Sequence, residues 1–84
     1  MPSERFNTAA EEVQKLTTKP DNNELLKLYG LFKQATVGDN DTSKPTFDLK
    51  GRYKWDAWTE VKGLSKEEAE EKYIALVEEL KAKQ

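Results

Sequence analysis

Two residue types that carry much of protein chemistry are missing from this chain: it has no cysteine and no histidine. Without cysteine there are no disulfides and no thiolate metal sites. Without histidine the commonest general base and the imidazole metal ligand are gone. No nucleophile–base pair can then be assembled, so an enzyme is the least favoured reading, and no catalytic or metal-ligating residue is assigned. Long apolar runs are also missing, and nothing approaches the ~20 residues of a membrane span. The opening stretch MPSERFNTAAEEVQ does not read as a secretory signal. No Gly-rich phosphate loop is present, which leaves nucleotide hydrolysis without support. The expectation is a protein of a reducing, cytoplasmic compartment with no stable membrane insertion.

What is present is charge. Charged residues make up 36% of the 84 positions, equal to the hydrophobic share. Lys, Glu, Leu and Ala dominate, which favours helix over sheet. The length fits one small domain, 1–84, with a modest core. The net charge of −2 is unevenly spread. Residues 1–26 hold three basic and five acidic side chains, a sum of −2. Residues 27–54 hold six and three, a sum of +3, and residues 55–84 hold five and eight, a sum of −3. A basic middle in an acidic chain suits a compact anionic ligand better than nucleic acid, which rewards a broad basic face.

The periodicity predicts an all-α protein of four helices, over about 4–16, 21–37, 49–62 and 65–82. In the first, Phe6, Ala9, Ala10, Val13 and Leu16 recur at steps of three and four, with Ser3 as N-cap. The second opens on Asp21, with Glu24 completing a capping box, and stops at Gly38. GDNDTSKPT, 38–46, reads as a long surface loop. The third starts at the cap Asp48 and ends at Gly63, and the fourth opens on the box Ser65–Glu68. The terminal helices should pack on each other, with the middle pair covering them. Glu67, Glu68, Glu70 and Glu71 read as a solvated face. Asp39 and Asp41 lack the spacing and closing glutamate of a calcium loop.

Two lysines break the pattern. On a wheel of about 100° per residue, measured from Tyr29, Phe32 falls at about −60°, Lys33 at about +40° and Leu26 at about +60°. Measured from Lys54, Ala57 falls at about −60°, Val61 at about −20° and Trp58 at about +40°. Each helix thus sets a lysine among apolar side chains that ought to face the core. Either lysine alone could snorkel, its methylenes on apolar surface and its ammonium in water. Two together, beside aromatic rings, favour a shared anion such as a phosphate, which removes the cost of burying them. Tyr29 and Phe32 could stack a nucleobase, so the pattern suggests a nucleotide-like ligand. Two rival readings remain at this point. One is an adapter that seats a partner helix in an apolar groove. The other is a DNA-binding helical domain, which the acidic balance and the scarcity of Arg, Asn and Gln on the middle helices disfavour.

LYGLFKQATVGD and KGRYKWDAW, with TKP at 18–20, KQATVGD at 33–39, KWDAW at 54–58 and YIALVEEL at 73–80, cover nearly the whole chain in one order and spacing. In that combination they resemble the acyl-CoA-binding protein family, also called the diazepam-binding-inhibitor family. The resemblance implies a four-helix bundle of up-down-down-up topology. It implies a carrier and pool former for medium- to long-chain acyl-CoA thioesters, with no catalysis, no cofactor and no nucleic-acid partner. It also implies a monomer that touches membranes at most transiently during ligand exchange. By resemblance, Tyr29, Lys33 and Lys54 hold the 3′-phosphate of coenzyme A, and the adenine stacks by Phe32 and Leu25. Lys50 is a further basic contact, and Tyr73 lies near the acyl or pantetheine part. Gln14, Gly30 and Leu31 complete the implied ligand set. The packing of first on fourth helix falls on Phe6, Ala10, Val13, Leu16, Tyr73, Val77 and Leu80. The chain departs from the family in three places: Phe32 stands where many members have tyrosine, Gln14 where many are basic, and the loop before Phe47 is one residue shorter and lacks a glycine after Pro45.

Overall fold

The computed structural model describes residues 3–83. Four helices account for the regular structure of these residues: α1 (Glu4–Val13), α2 (Asn22–Thr36), α3 (Leu49–Glu60) and α4 (Lys66–Ala82). The expected caps are the caps found. The Ser3 hydroxyl accepts from the Phe6 N–H at 3.2 Å. The Asp21 carboxylate accepts from the Glu24 N–H at 2.8 Å, and Glu24 accepts in return from the Asp21 N–H at 3.0 Å. Ser65 and Glu68 repeat the reciprocal pair at 3.0 and 3.1 Å. Each box satisfies amides that a helix start leaves open. Gly38 and Gly63, the expected stops, have φ of 105° and 98°, which a side chain would oppose.

Two helices end earlier than their apolar periodicity suggests. α1 stops at Val13 rather than 16, because the Gln14 and Lys15 amides turn back to the carbonyls of Glu11 and Glu12, three residues earlier. α3 stops at Glu60 rather than 62, since the Val61 and Lys62 amides do the same to Trp58 and Thr59. Tightened last turns of this kind satisfy open carbonyls while the next apolar residue still packs. Leu16 and Val61 do so, each half-buried against the core.

Cross-helix contacts fix the topology. At the start of α1, the Ser3 N–H donates to Glu70 Oε1 at 3.0 Å, and at its end Glu12 pairs with Lys81 at 2.9 Å, so α1 and α4 run parallel. Glu24, opening α2, pairs with Lys83 past the end of α4 at 3.0 Å. Gln34, closing α2, donates to the Leu64 carbonyl just before α4. α2 therefore opposes α4. Tyr29 meets Lys54, and Lys33 meets Trp58, so α3 follows the direction of α2. The bundle is up-down-down-up.

The core is one cluster: Phe6 and Ala9 of α1, Leu28, Leu31 and Ala35 of α2, and Ala69, Tyr73, Ile74, Val77 and Leu80 of α4. The first-on-fourth packing expected from sequence is present in it. Two details differ from the sequence reading. Of the middle helices α2 alone packs on the terminal pair, against α4 and, through the Phe32–Phe6 ring contact, α1, while α3 packs on α2 and on no other helix of the described residues. Glu70, read as solvated, is 8% exposed and holds the Ser3 amide, whereas Glu67, Glu68 and Glu71 are exposed.

Candidate functional site

α2 is apolar on two faces. Measured from Tyr29 on the wheel, its core residues fall at about −100° for Leu28, about −160° for Leu31 and about −120° for Ala35. The face carrying Leu25, Tyr29, Phe32 and Lys33 is a second one. This corrects the sequence reading that Lys33 interrupts the core stripe: the stripe it sits in belongs to a half-open surface. No helix backbone packs there, since α2 has α4 on one side and α3 on the other, and the α1 backbone packs only on α4. Phe32 stays 38% exposed and Leu25 37%. Phe32 is backed by a buried aromatic floor: its ring lies 5.5 Å from Phe6 and 6.1 Å from Tyr73, with Phe6 and Tyr73 4.9 Å apart. Burial pushes the Tyr73 phenol above its ordinary pKa, so it stays neutral. The result is a rigid flat surface facing solvent, suited to stacking.

α3 comes in close along the next edge of α2. Gly30 is buried at the crossing, and a Cβ there would lie 2.5 Å from the Ala57 carbonyl oxygen. Only glycine lets the two backbones approach this closely. That approach sets up two opposed cation–π contacts. Lys33 Nζ of α2 lies 5.1 Å from the Trp58 ring centroid of α3. Lys54 Nζ of α3 lies 5.3 Å from the Tyr29 ring centroid of α2. Ring quadrupoles hold both cations over the seam. No described carboxylate comes within 4.0 Å of either ammonium. Both expected cations therefore meet at one seam with their positive charge uncompensated. A group with several anionic oxygens would complete this arrangement by charge-assisted hydrogen bonds.

The polar clamps that hold α3 in place are absent from the sequence reading. Gln34 is fully buried, and its amide donates to Asp39 Oδ1 and to the Leu64 carbonyl, both at 2.8 Å. Asp39 also accepts from the Gly63 N–H at 2.9 Å, so one carboxylate ties the end of α2 to the turn after α3. The Gly63 amide, then the Gln34 amide, keep its pKa below the ordinary carboxylate value. The indole of Trp58 donates to the Gly38 carbonyl at 2.8 Å, which fixes the ring under Lys33. Asn40, 5% exposed, donates to Thr59 Oγ1 and accepts from the Thr42 N–H. The Trp55 indole donates to the Thr42 carbonyl, and Lys44 pairs with Asp56 at 2.9 Å. The 38–46 segment is thus pinned along α3 rather than a free surface loop. The sequence signal available is Gln34 and Asp39 on either side of a glycine stop.

The other expected site residues are distributed as follows. Lys50 is exposed one turn before Lys54. Leu25 borders Phe32, and Tyr73 lies beneath it. Gly30 serves the helix crossing, and Leu31 is a core residue, 8% exposed. Gln14 caps the end of α1 and is exposed, with no described hydrogen bond to the cation pair. Along the α2–α3 seam runs a depression of about 640 Å³, with Leu26, Leu31, Ala57 and Val61 as its apolar lining and Tyr53 at its edge. Among the described residues no acidic cluster could hold a metal ion, and no helix is long and apolar enough to cross a membrane.

Comparison with known proteins fits this geometry. The family model described as "Acyl CoA binding protein" matches residues 3–77. The chain is 63% identical over 79 residues to "Acyl-CoA-binding protein homolog 1" of Caenorhabditis elegans, covering 93% of this chain and 92% of that one. It is 58% identical over 84 residues to "Acyl-CoA-binding protein homolog" of Drosophila melanogaster, covering 99% and 98%. The fold superposes on the crystal structure of Oryza sativa Acyl-CoA-Binding Protein 2 with a TM-score of 0.91 at 49% identity, over 95% of this chain and 90% of that one. With both middle-helix motifs inside the matched residues, the chain belongs to the acyl-CoA-binding protein family.

Proposed function

We propose that this chain is a single binding domain that takes up medium- to long-chain acyl-coenzyme A thioesters and carries them without catalysis, as a cytoplasmic monomer that buffers their pool. The observation that carries this reading is the uncompensated pair Lys33 and Lys54, crossed over Trp58 and Tyr29 at the α2–α3 seam. In this reading Tyr29, Lys33 and Lys54 hold the 3′-phosphate, with Lys50 one turn away for a further phosphate. The adenine stacks on Phe32, beside Leu25 and above Tyr73. The acyl chain lies against apolar side chains of α2 beside that face, Leu25 and Leu26. The lack of cysteine and histidine supports binding without chemistry, since no activated nucleophile can be built. Relatives named for acyl-CoA binding, at 57–63% identity, support the ligand class.

Magnitudes divide the labour between tail and head. Removing a long acyl chain from water yields on the order of ten kcal/mol, at ~0.8 per methylene. A stacked base adds ~1–3 kcal/mol, and each hydrogen bond to a charged phosphate ~1.5–3 kcal/mol. Association and ordering remove several kcal/mol. The tail should dominate affinity and the head group should set specificity. Calorimetry with palmitoyl-coenzyme A, its dephospho form and palmitate tests this. Lys33→Ala and Lys54→Ala should each weaken the 3′-phosphorylated thioester far more than the dephospho form, and palmitate should bind poorly to all. Equal losses on both thioesters would remove the phosphate assignment, and equal binding of palmitate would remove the head-group role.

A further inference from the structure

A groove for a partner helix, the rival that the sequence allows, is present on the back of the α2–α3 pair. On α3, Leu49, Tyr53, Ala57 and Val61 follow one another at steps of four. Measured from Lys54 they fall at about −140°, about −100°, about −60° and about −20°, a continuous ridge that drifts toward α2. Its first half is bare, with Leu49 60% and Tyr53 53% exposed. Its second half borders the depression of about 640 Å³, where Leu26 and Leu31 of α2 form the opposite wall. From Tyr29, Lys27 lies at about 160° and Leu31 at about −160°, whereas Phe32 lies at about −60°. The groove therefore faces away from the aromatic floor, and Leu26, at about +60°, borders both. Lys27 stands on the α2 rim and Glu60 on the α3 rim. Both are exposed, and neither has an ion-pair partner among the described residues. Asp56, also on the α3 rim, is neutralised by Lys44.

These features select the occupant. Both walls are helices whose interior amides are spent on their own carbonyls, so an added strand finds no edge to pair with. A flat sheet of acidic lipids does not follow a recess and is repelled at Glu60. A second copy of the chain offers no apolar stripe on α1 or α4, since none of the exposed large hydrophobic side chains lies there. A ridge in steps of four is what another helix packs against. The walls of the depression, 23–31 on α2 and 53–61 on α3, are each about 12 Å long, two turns of helix. We propose that this groove seats an amphipathic helix of a partner protein. Its apolar stripe lies on the Tyr53–Ala57–Val61 ridge, one flank bringing a cation to Glu60 and the other an acid to Lys27. The inference goes beyond the carrier reading: it gives the molecule a grip that leaves the aromatic floor open.

The probes are three lactam-bridged helices of about 15 residues, long enough to hold their shape, with leucines at i, i+4, i+7 and i+11. One carries lysines on one flank and glutamates on the other, one lysines on both, and one glutamates on both. Titrated into the isotope-labelled full chain, the mixed peptide should bind tightest and shift the amides of Lys27, Tyr53, Ala57 and Glu60, with Thr8 on α1 unmoved. Tyr53→Asp should weaken it by about tenfold or more. Lys27→Glu makes both rims acidic and should move the preference to the lysine peptide by about fivefold. Glu60→Lys should move it as far toward the glutamate peptide. Such a change of preference cannot come from misfolding, and all three side chains are exposed, so circular dichroism should report unchanged helicity. Affinity of each variant for palmitoyl-coenzyme A should stay within about twofold of wild type. The proposal is overturned if no peptide shifts these amides, or if neither charge reversal moves the preference. It is overturned too if excess palmitoyl-coenzyme A expels the mixed peptide or Tyr53→Asp loses thioester affinity, either of which assigns the groove to the ligand. Phosphatidylglycerol vesicles that bind wild type and not Tyr53→Asp, with the peptides inert, would overturn it in favour of lipid. A dimer in sedimentation equilibrium that Tyr53→Asp dissolves would overturn it in favour of a second copy. If the mixed peptide binds and palmitoyl-coenzyme A does not, the carrier reading fails and the docking stands.

Discussion

α2 is built into the molecule along two seams of different material. Toward α1 and α4 it presents Leu28, Leu31 and Ala35, which join a continuous apolar cluster with Phe6, Tyr73, Val77 and Leu80. Toward α3 it presents a glycine, a tyrosine ring and a lysine, and α3 answers with a backbone carbonyl, a lysine and an indole. Trp58 is the one buried residue of α3, against six in α4. The first seam supplies most of the hydrophobic stabilisation. The second is kept open to charge, and its geometry is held by hydrogen bonds from Gln34, Asp39 and Trp58 instead of by apolar area. One helix thus separates stability from recognition by assigning each a face.

The comparison makes ordered predictions. Leu80→Ala opens a cavity in the first seam and should cost ~2–5 kcal/mol in urea denaturation. Affinity for palmitoyl-coenzyme A should be unchanged wherever the variant is folded. A parallel loss of affinity would show that the two seams are not independent. Gly30→Val drives a side chain into the Ala57 carbonyl and should cost ~1–3 kcal/mol of stability, as overpacking does. Here affinity should fall as well, because the crossing sets the lysine–ring contacts, and normal affinity would sever the crossing from the site. Lys33→Ala and Lys54→Ala each remove one cation–π contact and should lower stability by only ~0.5–1 kcal/mol, whatever they do to binding.

The smallest effect expected is on pH dependence. The Asp21 amide and Lys83 lower the Glu24 pKa, the Gly63 amide and Gln34 lower that of Asp39, and Ser65 lowers that of Glu68. A carboxyl depressed on folding stabilises the protein above its unfolded pKa. That contribution is lost as pH falls from the ordinary values of 4.5, 3.8 and 4.5 through the lower folded values. Thermal melts should therefore drop on acidification through that window, and Asp39→Asn should flatten part of the slope. At the alkaline end, Lys81 is raised by its bond to Glu12, so its contribution persists at neutral pH and fades only above 10.5. An acid slope in Asp39→Asn equal to that of wild type would remove this carboxylate from the account.

Most of the scaffold is legible in the chain. Both capping boxes and both glycine stops are local rules in short windows, and they hold. The ends of α1 and α3 are not, because apolar spacing continues past the last helical turn, as Leu16 and Val61 show. The lysines stand out because a 3.6-residue repeat is intolerant of charge. Which face they occupy cannot be read, since α2 has two apolar faces and a wheel does not say which one is covered. Gln34 and Asn40 escape notice for a different reason. Their partners, Leu64 and Thr59, lie 30 and 19 residues away, and single polar side chains announce no pairing at that range. The aromatic floor of Phe6, Phe32 and Tyr73 joins three helices and is equally non-local.

The attachment of α3 to a single neighbouring helix carries a kinetic consequence. A segment with one packing partner can detach without melting the rest, so its amides should exchange with deuterium sooner than those of α4. Cargo lying across the seam would close that route and slow exchange in α3 above all. Residence time would then be governed by how often this helix lifts, and changes that merely tighten its hydrogen-bonded hinges, far from any ligand atom, would lengthen it.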